Sequence, residues 1–177
     1  MLMGCDIHAF IEIEHGQANV SAFAEFHFPR FTRLFTALAG VYSHPDKLPL
    51  YPARGLPESI SYDVERQFYQ QIVPDSDADD GELRGVSYIT ESEANELLQQ
   101  DKSALRIVPR TSQMYLPDPC WHDPSWLTHQ ELLDALAHHG ITNDELSIEF
   151  KTAMEAMLML SKHYGTDKVR LVFWFDS

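Results

Sequence analysis

The chain has 177 residues, a length that suits one domain (1–177) with a sizeable core. Its apolar, charged, glycine and proline contents are those of an ordinary globular protein and argue against wholesale disorder. Thirteen Lys and Arg against 27 Asp and Glu give a net charge of −14, which argues against a primary role on nucleic-acid backbone. A basic protein surface, a cationic ligand or bound metal ions are the more compatible partners.

In chain order, residues 5–14 and 19–28 read as two strands joined by a short glycine-containing link, His15-Gly16-Gln17-Ala18, which suits a hairpin. Along the first, Ile7, Ala9, Ile11 and Ile13 fall on one face and Asp6, His8, Glu12 and Glu14 on the other. Phe31, Leu34, Phe35 and Leu38 recur at helical spacing before Gly40, predicting a helix over 31–39. Pro45, Pro49, Pro52 and Pro57 make 43–57 a loop, and a helix over 60–73 ends before Pro74. An acidic loop follows from Asp75 to Gly85.

Thr90 with Glu93 and Thr128 with Glu131 are two capping boxes, and they start helices over 91–101 and 129–139. A longer helix over 143–164 carries the stripe Leu146, Phe150, Met154, Met157 and Leu158, which suits core packing. Residues 169–176 are apolar almost throughout and read as a central strand covered on both faces. The expected fold is α+β, with a small, mostly antiparallel sheet of N-terminal hairpin plus C-terminal strand, packed with four to five helices.

No run of residues approaches the ~20 apolar positions that cross a bilayer. Asp6 and His8 interrupt the N-terminal apolar stretch, so no signal peptide is expected. Cys5 and Cys120 are too few for a disulfide framework. A reducing, cytoplasmic location is the default, and a single bridge is the less favoured alternative.

The candidate chemistry centres on Asp6 and His8, an acid and an imidazole two residues apart on one strand face. If the last strand pairs antiparallel with the first, Asp176 approaches both. Parallel pairing would take it to the far end, and the antiparallel version is favoured. Two carboxylates and an imidazole suit a divalent transition metal. The structural alternative is that Asp6 and His8 only bond loop backbone at a strand end. His122, beside Asp123 in a turn-rich stretch, is a further candidate. Arg54, in the Arg54-Gly55-Leu56-Pro57 turn, can anchor a carboxylate or phosphate, or else pin the loop through an internal salt bridge.

Named motifs are absent. Asp75-Ser76-Asp77-Ala78-Asp79 begins like a calcium loop but has Asp80 at the sixth position and Val86 at the twelfth. There is no phosphate-cradling glycine loop, no G-x-S-x-G, no H-E-x-x-H and no C-x-x-C. Cys5 and His8 point to opposite faces of a straight strand, which excludes that pair as nucleophile and base.

Taken together, Met3-Gly4-Cys5-Asp6-Ile7-His8, Leu34-Phe35 with Leu38-Ala39-Gly40-Val41, Arg54-Gly55-Leu56-Pro57-Glu58, His122 with Ser125-Trp126-Leu127-Thr128, and Val172-Phe173-Trp174-Phe175-Asp176 resemble a family of uncharacterised phage and prophage proteins that begin MGCDIH. The resemblance touches both ends and the middle of the chain. It departs at His122-Asp123-Pro124-Ser125, where a family segment like H-S-H-S-W-L-T has a second histidine, and at 28–33. The lost histidine weakens a two-histidine metal site, although Asp123 can substitute as an oxygen ligand. The resemblance implies a phage or prophage origin and a bacterial cytoplasmic setting, and it brings no established activity.

Two functional readings follow. In the first, the chain is an acidic accessory protein that binds a basic host or phage protein through the loop 75–82 and the carboxylates of 91–101. In the second, it is a divalent-metal-dependent hydrolase of a phosphoester or nucleotide. Asp6, His8, His122 and Asp176 would then hold the ion, and Arg54 would stabilise developing phosphate charge. The first is favoured, because no complete catalytic signature is present.

Overall fold

Ile7, Ala9, Ile11 and Ile13 of strand β1 (Ile7–His15) share one face, as the sequence predicts, and all lie in the main hydrophobic core. The computed structural model describes residues 5–16, 18–42, 47–77, 87–100, 106–108 and 113–176. After β1 come β2 (Ala18–Ser21), β3 (Phe26–His27), α1 (Thr32–Ala39), α2 (Tyr62–Phe68), β4 (Tyr69–Val73), β5 (Tyr88–Thr90) and α3 (Glu91–Gln99). Then follow β6 (Arg106–Val108), β7 (Gln113–Pro117), β8 (Trp121–Thr128), α4 (His129–His138), α5 (Ile148–Tyr164) and β9 (Val169–Asp176). The architecture is α+β, with two mostly antiparallel sheets in two compact units. One unit takes the residues up to 62 and from 122 onward, and the other takes 63–121.

The first unit is built on the sheet β2-β1-β9-β8, with β3 also paired to β1. β9 runs antiparallel to β1 in a register from Ile7↔Phe175 to Ile13↔Val169. One face of this ladder joins Val169, Leu171, Phe173 and Phe175 to the isoleucines of β1, and helices α1, α4 and α5 cover it with Leu34, Phe35, Leu132, Phe150 and Met157. Each such buried side chain contributes roughly 1.5–3 kcal/mol. α1 ends as its sequence predicts, at Gly40, whose left-handed backbone (φ 81°) lets its N–H bond the Thr36 carbonyl.

The opposite face of the ladder is buried too. It presents three directly opposed pairs, His8↔Trp174, Phe10↔Val172 and Glu12↔Arg170. Trp174 stacks between His8 and Phe10, at 5.7 and 5.8 Å between ring centroids. Glu12, read from the sequence as a residue of a polar face, is fully buried. Its Oε2 accepts from Arg170 at 2.7 and 3.0 Å, and its Oε1 accepts the Ser61 N–H at 2.5 Å. Arg170 also donates to the Ser59 carbonyl.

The second predicted strand, 19–28, is broken in two. Between Ser21, opposite Glu12, and Phe26, opposite Ala9, the chain takes five steps against three on β1. The surplus bulges outward at 22–25. The long helix expected from 143 starts at Ile148, because Ser147 caps it by accepting the Phe150 N–H. Asn143–Glu145 forms a separate 3₁₀ turn. Leu146, Phe150, Met154 and Met157 of the stripe are buried, whereas Leu158 is exposed.

The second unit holds a four-stranded sheet, β5-β4-β7-β6, that local patterning did not reveal. Its β4 occupies the latter half of the helix expected over 60–73. Tyr69, Ile72 and Val73 suit either state, and non-local pairing with β7 and β5 decides for strand. The prolines of 117–124 mask two strands in the same way. Pro117 ends β7, and Pro124 sits in β8, an edge strand where a missing N–H is tolerated. Both capping boxes form, at Thr90/Glu93 and Thr128/Glu131. Asp75 of the acidic loop bonds the Ser92 N–H and hydroxyl in the first turn of α3, and residues 78–86 of that loop lie outside the described residues.

Removing one partner of a buried ion pair leaves an uncompensated charge. Glu12→Ala should therefore destabilise the first unit by about 3 kcal/mol in urea unfolding. The double change Glu12→Leu/Arg170→Met, which leaves no orphan, should lose less than half of that.

Candidate functional site

The antiparallel β1–β9 register brings the end of the last strand to the start of the first, as favoured from the sequence. The Asp6 N–H donates to Asp176 Oδ1 at 2.8 Å, and the Asp176 N–H returns a bond to the Asp6 carbonyl at 3.2 Å. The other oxygen of Asp176 lies 3.4 Å from His8 Nε2. Asp6, His8 and Asp176 are thus neighbours, with roles set by further partners.

The carboxylate of Asp6 is held in a bidentate pair by Arg30, with Nε at 2.5 Å and a terminal nitrogen at 2.9 Å. That guanidinium keeps the Asp6 carboxyl below its ordinary range. His8 is closed from both sides, Nδ1 by Glu25 from the 22–25 bulge and Nε2 by Asp176. Burial alone would push its pKa down, but the bonds and charges of the two carboxylates outweigh this and hold it above the usual 6.5. The arrangement is a clasp at the strand ends that favours the protonated form of the imidazole.

His122 turns elsewhere. Ser125 and Leu127 of β8 are fully buried, and strict alternation would send His122 to the other face. Asp123 breaks the alternation with a left-handed backbone, φ 47°. The His122 ring therefore stacks on core residue Phe175 at 6.0 Å, and its Nε2 lies 3.8 Å from Cys5 Sγ. Its Nδ1 lies 2.8 Å from Asp123 Oδ2. Cys5 is free, 3 % exposed and part of the main core, on the face opposite His8. The Tyr42 hydroxyl bonds the thiol, and Tyr42 also has a left-handed backbone, φ 62°.

Arg54 belongs to neither group. It makes a bidentate pair with Glu131 at 2.6 and 3.2 Å and lies over the rings of Tyr51 and Trp126. Burial of Glu131 opposes its ionisation, but Arg54 and the Thr128 cap outweigh this and lower its pKa. Trp126 also faces Arg170, and along β9 the six residues from there to Asp176 span about 20 Å. Arg54 pins the 47–61 loop to the cap of α4.

Among the described residues, no three His, Cys, Asp or Glu side chains are arranged to hold a metal ion. The sequence pointed to Asp6, His8, His122 and Asp176, and the fold divides them between the His8 clasp and the Cys5–His122 contact. Sequence reasoning passed over Glu25, Arg30 and Tyr42. They lie in a bulge, a turn and a helix-end loop, and no local period marks them.

No protein-family model matches the chain, and neither a curated protein nor a solved structure does so. No helix among the described residues is long and apolar enough to cross a membrane.

Because the folded-state pKa of His8 is raised, its stabilisation is fully present below about pH 6.5, the unfolded value, and is lost as pH rises through the folded value. Urea unfolding of the wild type and of His8→Gln should differ most in acid and converge in alkali. An equal difference at both ends would contradict a clasped imidazolium.

Proposed function

We propose that this chain is an acidic binding protein that engages a basic protein surface. In keeping with its resemblance to MGCDIH-type proteins, it acts as a phage- or prophage-encoded accessory factor. The single observation that carries the reading is where the cations go. Arg30, Arg33, Arg54, Lys168 and Arg170 are each held in internal ion pairs, with Asp6, Glu145, Glu131, Glu14 and Glu12. Outside those five pairs the sequence has 22 Asp and Glu against eight Lys and Arg, and of these acids Glu58, Glu91, Glu96, Asp144 and Glu155 stand exposed. Such an excess of acids steers a partner of the opposite sign and disfavours nucleic-acid backbone.

The metal-hydrolase reading has less to support it. It needs open ligands, whereas Asp6 is occupied by Arg30 and His8 by two carboxylates. It also needs Arg54 near the reacting group, and Arg54 is engaged with Glu131.

Affinity capture from a bacterial lysate tests the binding reading. At about 0.05 M salt the protein should retain a basic protein, and the complex should weaken at least about tenfold near 0.3 M as the Debye length shortens. Reversing two charges on α3, Glu91→Lys with Glu96→Lys, should weaken it about fivefold or more. A salt-insensitive complex would count against this reading.

A further inference from the structure

We propose that Cys5, His122 and Asp123 form a nucleophilic thiol centre for acyl transfer, covered by Tyr42 and acting on neutral or cationic acyl compounds such as esters and thioesters. The geometry has the order such a centre requires, with nucleophile, base and orienting group in sequence. Sγ of Cys5 lies 3.8 Å from His122 Nε2, and the opposite ring nitrogen lies 2.8 Å from Asp123. An ionised carboxylate can only accept, so Nδ1 carries the hydrogen and Nε2 presents its lone pair to the S–H group. Asp123 thereby sets the tautomer, and Phe175 sets the plane of the ring.

A second observation concerns the backbone. Among the described residues, Tyr42 and Asp123 are the only non-glycine positions with positive φ. Each costs roughly 1–2 kcal/mol of backbone strain, and both converge on the same cysteine. The strain at Asp123 is what turns His122 onto the Cys5 face. The strain at Tyr42 accompanies a hydroxyl laid on the sulfur. Strain of this kind persists where the surrounding structure enforces it, and such places cluster at functional sites.

The thiol is not a preformed thiolate. Burial pushes its pKa up, and the charges of Asp176 and Asp6 add to this against the opposing effects of Tyr42 and Arg30. Attack therefore needs His122 as a general base. As Sγ bonds the carbonyl carbon, its proton passes to Nε2. The tetrahedral adduct collapses by breaking the bond to the leaving group, which takes that proton. Water then attacks the thioester and gives a proton to Nε2, the C–S bond breaks, and the sulfur regains the proton. The net change is acyl compound plus water to acid plus the protonated leaving group. The carboxylates of Asp176 and Asp6 near the sulfur disfavour anionic substrates. Displacement of Tyr42, itself 47 % exposed, opens access to the sulfur.

The test uses the full chain carrying Cys120→Ser, which removes the exposed second thiol. With p-nitrophenyl acetate as probe, a stoichiometric burst of nitrophenolate should accompany an acetyl adduct on Cys5, located by peptide mass spectrometry. His122→Gln should slow acylation about 100-fold and Asp123→Asn about tenfold or more. In the parent the rate should rise with deprotonation of an imidazole, and in His122→Gln it should follow ionisation of the thiol. Tyr42→Gly places glycine where the backbone is left-handed, so it should fold and acylate several-fold faster, which gives a readout even if His122→Gln does not fold. No adduct on Cys5, an adduct formed at the same rate without His122, or no gain in Tyr42→Gly would each overturn the proposal. Retention of a basic partner is read separately, so either result leaves the other open to its own test.

Discussion

The antiparallel ladder between β1 and β9 is the constraint on which the first unit depends. Its register puts four residues of each strand into the core on one side and three opposed pairs on the other. A slip of one residue would turn the isoleucines of β1 away from the helices and set His8 and Glu12 against them. The Glu12–Arg170 pair sits in that register as a cross-strand pair. A shift would separate a buried charge from its partner, so the pair discriminates against slippage more than it adds to net stability.

The same register gives the two ends of the ladder different chemistry. At the Glu12 end, Arg170, Ser59, Ser61 and Trp126 enclose a carboxylate. At the other end, Asp176 bonds backbone and imidazole together, and Glu25 and Arg30 complete the clasp. Five cations of the first unit, Arg30, Arg33, Arg54, Lys168 and Arg170, are used locally against particular carboxylates. Near Cys5, burial first and then the charges of Asp176 and Asp6 hold the thiol pKa up.

Much of the fold was legible in the sequence. The alternation of Ile7, Ala9, Ile11 and Ile13, the glycine after α1, the two Thr/Glu capping boxes and the apolar run 169–176 all encode local or one-sided preferences, and the fold keeps each of them. The second sheet was not legible. Tyr69–Val73 reads equally as helix or strand until β5 and β7 pair with it, and Pro117 and Pro124 look like loop residues until they are placed at a strand end and a sheet edge. The candidate site was half legible. Asp6, His8 and Asp176 follow from strand parity and antiparallel pairing, whereas the break in parity at Asp123 depends on a backbone angle that no pattern of residue types announces.

By itself, then, the sequence determined what hydrophobic periodicity and capping chemistry can encode: the α+β class, a buried last strand beside the first, and an acidic balance. Only the tertiary structure decided which titratable groups meet. Those meetings depend on register, on the 22–25 bulge that carries Glu25 to His8, and on the strained turn of β8 that carries His122 to Cys5. They join positions 17 and 117 residues apart, and contacts at that separation are set by packing rather than by neighbouring residues.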